Sequence, residues 1–312
     1  MKAAIYLQKE QVLEKLPSST LVDESTANLV LCFGSKDFLV KPLLPSLQKK
    51  FSNATIALCS SSGEIFQNTV HNNALVVAAL HFDKTKTEAY SVNIKHFNNA
   101  YLAAIALAKK LPKTALKHIL VLSDGSKVNG SELVKGLTSQ VEKGVSITGG
   151  LAGDGANFNY TLVGLNAEPQ EGEIVAIGFY GNHIRITHGS QSGWDIFGLE
   201  KRVTNASGNV LVELENQNAL ELYKKYLGPE AEKLPGSALL YPLSVIIPET
   251  EKPVVRTILS INEEDKTMTF AGDIPVGSRV RFMKTNVDGL IKAAAEAAFF
   301  TVTKQQFPFF RY

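Results

Sequence analysis

The sequence predicts an α/β fold: an internally duplicated, layered mixed-sheet body of two β-α-β-β units, followed by an α+β C-terminal portion. Three observations carry this. Long apolar runs at 28–33, 74–82, 118–122 and 173–180 read as strands buried on both faces. Helical patterns alternate with them. The order then recurs: LVLCFGSK (29–36) faces ILVLSDGSK (119–127), IALCSSSGE (56–64) faces SITGGLAGD (146–154), and LVVAALHF (75–82) faces EIVAIGFY (173–180). Any chain of strands and helices contains β-α-β pieces. A matching GSK turn and a matching Gly-acid pair at nearly equal spacing require more, so 28–82 and 118–180 are read as repeats within a first domain, 1–216. Residues 217–312 form the second.

The elements follow in order. Ala3–Leu7 predicts a short strand. Gly34-Ser35 ends the strand at 28–33, and Phe38–Phe51 has helical periodicity, with Pro42 and Pro45 restricting its start. Thr55–Leu58 is a strand running into Cys59-Ser60-Ser61-Ser62-Gly63-Glu64, and 88–94 is a further strand. Asn98 or Asn99 caps a helix that Pro112 stops. Asp124-Gly125 is a turn, Ser131 caps a helix ending at Gly144, and Val145–Thr148 leads into the loop Gly149–Gly155. Beyond Gly198 come a hairpin turn at Ser207-Gly208-Asn209, a helix from 218 to 227 capped by Asn218, and strands at 238–247, 254–261, 268–270 and 279–283. An Ala-rich helix spans 286–300.

Composition excludes several function classes. The 312 residues carry 32 basic and 30 acidic side chains, a net charge of +2. That balance argues against a nucleic-acid partner, which needs clustered cations. No apolar run reaches the ~18 residues of a membrane helix. The N-terminus has no apolar segment followed by a cleavage site, and two cysteines make no disulfide framework. The expectation is a cytoplasmic protein with no membrane association.

The candidate site lies in the two Gly-acid loops. Each follows a buried strand, where ligands of α/β sheets tend to sit. Small residues there leave backbone N–H groups open to a carboxylate or other anion. Ser61, Ser62, Gly63 and Glu64 from the first loop, and Gly149, Gly150, Gly153 and Asp154 from the second, are the expected ligand-binding residues of a shared pocket, with Trp194 as a further lining residue. GLAGDG lacks the G-x-G-x-x-G spacing and no P-loop occurs, so nucleotide binding is rejected. No metal-ligand spacing is present. Cys59, Ser60 or Ser61 could serve as the nucleophile of an amidohydrolase or transferase, with Glu64 or Asp154 as acid–base group, but no base has a sequence signature tying it to them. No residue is assigned a catalytic role.

The segments FGS, CSSSGEI, GGLAGDG, HGSQSGWDIFG, VTNASGNVLVELENQNALELYKKYLG, VVRTILSI and MTFAGDIPVGSRVRFMK resemble the FIST family. The resemblance runs from about Asn28 to Ala298 and is most specific between His188 and Gly228. It implies a sensory module of signal transduction that binds a small ligand, an amino acid or other carboxylate, and passes the signal to a partner. As an alternative it implies a haem-binding nitric-oxide sensor acting through a histidine kinase. His188, in a Gly-rich loop, is then the axial candidate. The family's C-terminal portion is expected to continue past the last helix, where this chain ends in FFTVTKQQFPFFRY.

Overall fold

The computed structural model describes all residues except 11, 22, 40–41, 156, 249, 251–252 and 304–312. The chain forms two compact units, Met1–Arg185 and Ile186–Tyr312.

In the first unit the strands are β1 (Lys2–Gln8), β2 (Leu13–Lys15), β3 (Leu29–Gly34), β4 (Thr55–Ser60), β5 (Glu64–Phe66), β6 (Thr69–His71), β7 (Leu75–His81), β8 (Lys86–Asn93), β9 (Leu116–Ser123), β10 (Ser146–Leu151), β11 (Val163–Leu165) and β12 (Glu173–Tyr180). The helices are α1 (Lys36–Leu39), α2 (Leu43–Lys50), α3 (Ala100–Lys110) and α4 (Gly130–Thr138). One sheet has the order β11-β4-β3-β7-β1-β2 and another the order β10-β9-β12-β8; β5 and β6 form a separate hairpin.

Both larger sheets contain the same four-strand arrangement. β1 and β7 are antiparallel, β7 and β3 antiparallel, β3 and β4 parallel. β8 and β12, β12 and β9, and β9 and β10 repeat those senses in the same order. Each array therefore has one strand, β1 or β8, ahead of the β-α-β-β unit read from the sequence. The two arrays thus share strand order and strand sense.

Patterning explains the layers. β12 is buried at every residue, as a central strand covered on both faces must be. The face of the first sheet packs Val30, Cys32, Ile56, Leu58 and Val77 against Leu39, Leu44 and Leu47. The second packs Ile119, Val121, Ile174 and Ala176 against Ala103, Ala104, Leu107, Leu133 and Leu137. α3 and α4 lie close because Gly136 has no side chain: a Cβ there would come within 2.5 Å of the Tyr101 carbonyl.

Local capping differs in one place from expectation. Asn99 and Asn218 cap their helices as read, but Asn129, not Ser131, caps α4, accepting from the N–H groups of Ser131 and Glu132. α4 begins at Gly130, so Ser131 lies inside the helix and its own N–H is one of the two donors that the Asn129 amide oxygen satisfies.

The second unit contains β13 (Trp194–Ser207), β14 (Val210–Leu214), β15 (Gln217–Asn218), α5 (Ala219–Leu227), β16 (Leu243–Ile246), β17 (Pro253–Arg256), β18 (Ile258–Asn262), β19 (Thr267–Phe270), β20 (Arg279–Thr285) and α6 (Val287–Thr303). Its sheet runs β17-β16-β20-β13-β14-β19-β18, with β15 beside β14. The strand expected at 238–247 begins only at Leu243; 236–240 is a 3₁₀ turn. The core is built on Tyr223, Phe270 and Phe282, all buried, with Tyr226 stacked on Phe282 at 4.2 Å between ring centres. No helix among the described residues is long and apolar enough to cross a membrane.

Candidate functional site

The two Gly-acid loops meet. Each leaves its sheet in the same way: Ser61 N–H donates to the Gly34 carbonyl at 3.1 Å, and Ala152 N–H donates to the Ser123 carbonyl at 2.7 Å. The loops then bond to each other. Gly153 N–H donates to the Ser60 carbonyl (3.0 Å), and Gly155 N–H donates to Ser62 Oγ (3.0 Å). Gly153 permits this approach, since a Cβ there would fall 2.2 Å from Ser62 Oγ and 3.1 Å from Ser62 N. The chain returns as β11, which pairs antiparallel with β4. Ser60 fastens that return, with Leu162 N–H donating to its Oγ at 3.0 Å.

Beside this junction is a cleft of ≈ 290 Å³. It is lined by Ser35, Lys36 and Asp37 after β3, by Ser61, Ser62, Gly63 and Glu64 after β4, by Asn72 and Asn73, and by Asp154, Gly155 and Asn157 after β10. Its charged centre is an ion pair across the repeats. Lys36 Nζ lies 2.6 Å from Asp154 Oδ1 and 3.7 Å from the centre of the Tyr160 ring. Asp154 Oδ2 accepts from the N–H groups of Asn159 (3.1 Å) and Tyr160 (3.3 Å). Burial pushes the Asp154 carboxyl up. Lys36, the Asn159 N–H and the Asn157 amide outweigh that and hold it below the usual carboxylate range.

Glu64, the equivalent acid of the first repeat, is differently placed. It is buried, accepting from Ser61 Oγ at 2.7 Å and from Ala74 N–H at 3.3 Å. Lys127, the equivalent of Lys36, pairs with Glu171 at 2.7 Å. The two repeats thus do not build two identical sites.

The structure brings Ser61, Ser62, Gly63, Glu64 and Asp154 to the cleft, with Gly153 directly behind it. Gly149 and Gly150 lie elsewhere, within β10 and exposed at the sheet edge. Gly149 is required by the β9–β10 contact: its φ is +153°, and a Cβ would stand 1.8 Å from the Val121 carbonyl oxygen. The open amides expected for an anion are mostly used within the loops. Those of Ser61, Gly153 and Gly155 are all hydrogen-bonded to protein oxygens. Sequence reasoning missed Lys36, Asp37, Asn72, Asn73, Asn157 and Tyr160, although the repeated GSK turn marked the position of Lys36.

Trp194 is half-buried at the start of β13, opposite Thr285, and His188 is exposed just ahead of that strand. Both belong to the second unit, whereas every cleft residue belongs to the first. Cys59 is buried, its thiol pushed up to about 12 by burial and by the charge of Asp124. Ser60 is buried with its hydroxyl occupied by Leu162 N–H. Neither presents a nucleophile to the cleft.

The FIST N domain matches residues 28–217 and the FIST C domain matches residues 219–306. The chain belongs to the FIST family. FIST domains are regarded as sensory domains of signal transduction. The N-domain match spans the whole cleft and continues through β13 and β14. No curated protein matches the chain.

Proposed function

We propose that this FIST protein is a sensory ligand-binding module that holds a small polar ligand in the cleft between its two Gly-acid loops. The observation that carries the reading is the convergence of the loops, with Gly153 on Ser60 and Gly155 on Ser62, around the Lys36–Asp154 pair. The lining has carboxylates from Asp37, Glu64 and Asp154 against one lysine, together with amides and hydroxyls. Such walls complement a ligand that carries an ammonium group alongside hydrogen-bonding groups, and the cleft volume is near the small end for ligand sites. An amino acid fits both requirements better than a simple carboxylate. We take residues 1–216 and 217–312 as the two modules, a division supported by the family match although the compact units meet at Arg185. The output passes to a signalling partner, a histidine kinase being the candidate class.

Titration calorimetry against free amino acids and against small carboxylates lacking an amine tests the reading. Binding of amino acids that is lost in Asp154→Asn, with the variant's fold retained, is expected. Equal binding of amine-free carboxylates overturns the ammonium assignment. No binding by the folded protein across the panel overturns the site.

A further inference from the structure

We propose that the outer edge of β10 is where two copies of this chain pair, strand against strand, across a twofold axis. The argument begins with what a sheet edge must avoid. A free edge strand presents unpaired N–H and C=O groups, and proteins blunt such edges with charges, proline, brevity or a covering segment. The two larger sheets of the first unit have four outer strands. β2 carries Glu14 and Lys15, β8 carries Lys86 and Glu88, and β11 is only three residues long. β10, Ser-Ile-Thr-Gly-Gly-Leu, has six residues with no charge and no proline, and Gly149 and Gly150 on it are exposed.

The other repeat shows what fits such an edge. Ser61 and Ala152 hold equivalent places, each donating to the last residue of the neighbouring strand. Counting back from them, one place off the sequence match of 56–64 to 146–154, Ala57, Leu58 and Cys59 correspond by their hydrogen bonding to Thr148, Gly149 and Gly150. On β4 these three residues are covered by β11, which pairs antiparallel through Leu165, Gly164 and Val163. On β10 no strand among the described residues fills the same place.

An antiparallel segment centred on Gly149 would therefore repeat the β11 pairing. A second β10 is such a segment. With Gly149 facing Gly149 on the axis, Thr148 meets Gly150 and Ile147 meets Leu151, so each contact occurs twice and the patch is self-complementary. The strand is already fixed for this role. Buried His118 on β9 holds it by contacts to Ser146 Oγ (2.7 Å) and Thr148 Oγ1 (2.9 Å). β10 is also followed, after Ala152 and Gly153, by Asp154 of the cleft lining, so pairing at its edge lies close in the chain to the ligand site.

Gly150→Lys provides the test, because a Cβ at Gly150 meets nothing within 4 Å and the single chain has room for the substitution. Sedimentation equilibrium of the full chain is expected to give a dimer, and Gly150→Lys is expected to weaken it at least about tenfold by placing two cations across the axis. Gly150→Ala should leave it unchanged. Hydrogen exchange of the wild type supplies a readout independent of any variant: protection of the Ile147, Gly149 and Leu151 amides, which alternate with those bonded to β9, should rise with protein concentration. A monomer at all concentrations overturns the proposal. So does a dimer indifferent to a folded Gly150→Lys, which would pair elsewhere. Concentration-independent protection of these amides also overturns it, since the edge would then be covered by the chain itself.

Discussion

Lys36 and Asp154 come from different repeats and form the ion pair at the centre of the cleft, 2.6 Å apart with side chains 17% and 5% exposed. Removing one member of a pair this enclosed leaves the other with its desolvation uncompensated. Lys36→Met should cost about 2 kcal/mol at pH 7, below the range for fully buried pairs because the lysine keeps some water contact. The pH dependence has a definite sign. The Asp154 carboxyl is lower in the folded state than in the unfolded chain. It therefore adds stability above the unfolded value of about 3.9 and loses it as pH falls through the folded value. The gap between wild type and Lys36→Met in urea unfolding should narrow below about pH 4, and a constant gap would mean that the pair does not carry the effect.

Gly153 packs against Ser62 where the two loops meet, with no room for a side chain. Gly153→Ala would drive a methyl group into Ser62 Oγ and crowd its N–H. The loops must then part, straining the bond from Gly155 N–H to Ser62 Oγ. A destabilisation of about 1–3 kcal/mol and loss of ligand binding are expected. Ser62→Ala removes the struck oxygen, so the double variant should recover part of the loss. That non-additivity, read from a double-mutant cycle of thermal or urea unfolding, is the signature of direct contact. Strict additivity would place the damage elsewhere.

These two contacts show where the sequence was legible. The strands at 28–33, 74–82 and 173–180 announced themselves because burial on both faces demands uninterrupted apolar runs. The Gly-acid loops were visible because a repeat doubled a weak signal. Which acid meets which lysine was not. Lys36 reaches Asp154 while Lys127 turns to Glu171, and Glu64 bonds within its own half. No local pattern encodes a pairing between repeats. Gly149 and Gly150 misled for a related reason. Glycine reads as loop, whereas Gly149 is a strand residue required by close approach to the Val121 backbone.

Cys59 is expected to be chemically silent. With its thiol pushed up to about 12 by burial and by the charge of Asp124, the thiolate fraction at pH 8 is about one in ten thousand. Iodoacetamide should leave Cys59 and the equally buried Cys32 unmodified in the native protein and alkylate both in denaturant. The sign for stability is opposite to that of Asp154. Because the unfolded thiol ionises near 8.5, the contribution of the protonated thiol is complete below that value and fades as pH rises above it. Rapid labelling of native Cys59 would contradict its burial and restore a nucleophile to consideration.

Tyr6 and Glu24 anchor the N-terminal segment to the first sheet. The Tyr6 hydroxyl donates to Glu24 Oε1 at 2.8 Å, and the same oxygen lies 3.1 Å from Lys15 Nζ and 3.6 Å from Lys50 Nζ. These partners, the Tyr6 hydroxyl foremost, bring the Glu24 carboxyl down to about 2. Its contribution to stability is therefore present above the unfolded value of about 4.3 and disappears as pH falls toward 2. The carboxylate is about a quarter exposed, so solvent screening limits Glu24→Gln to a cost of about 1 kcal/mol at pH 7. Tyr6→Phe should cost a similar amount by leaving the carboxylate without its hydroxyl donor, and the double variant should cost less than the sum of the two. Urea unfolding at pH 7 and at pH 2 separates this network from simple packing. The penalty of Glu24→Gln should vanish at the lower pH, whereas a loss of packing would persist at both.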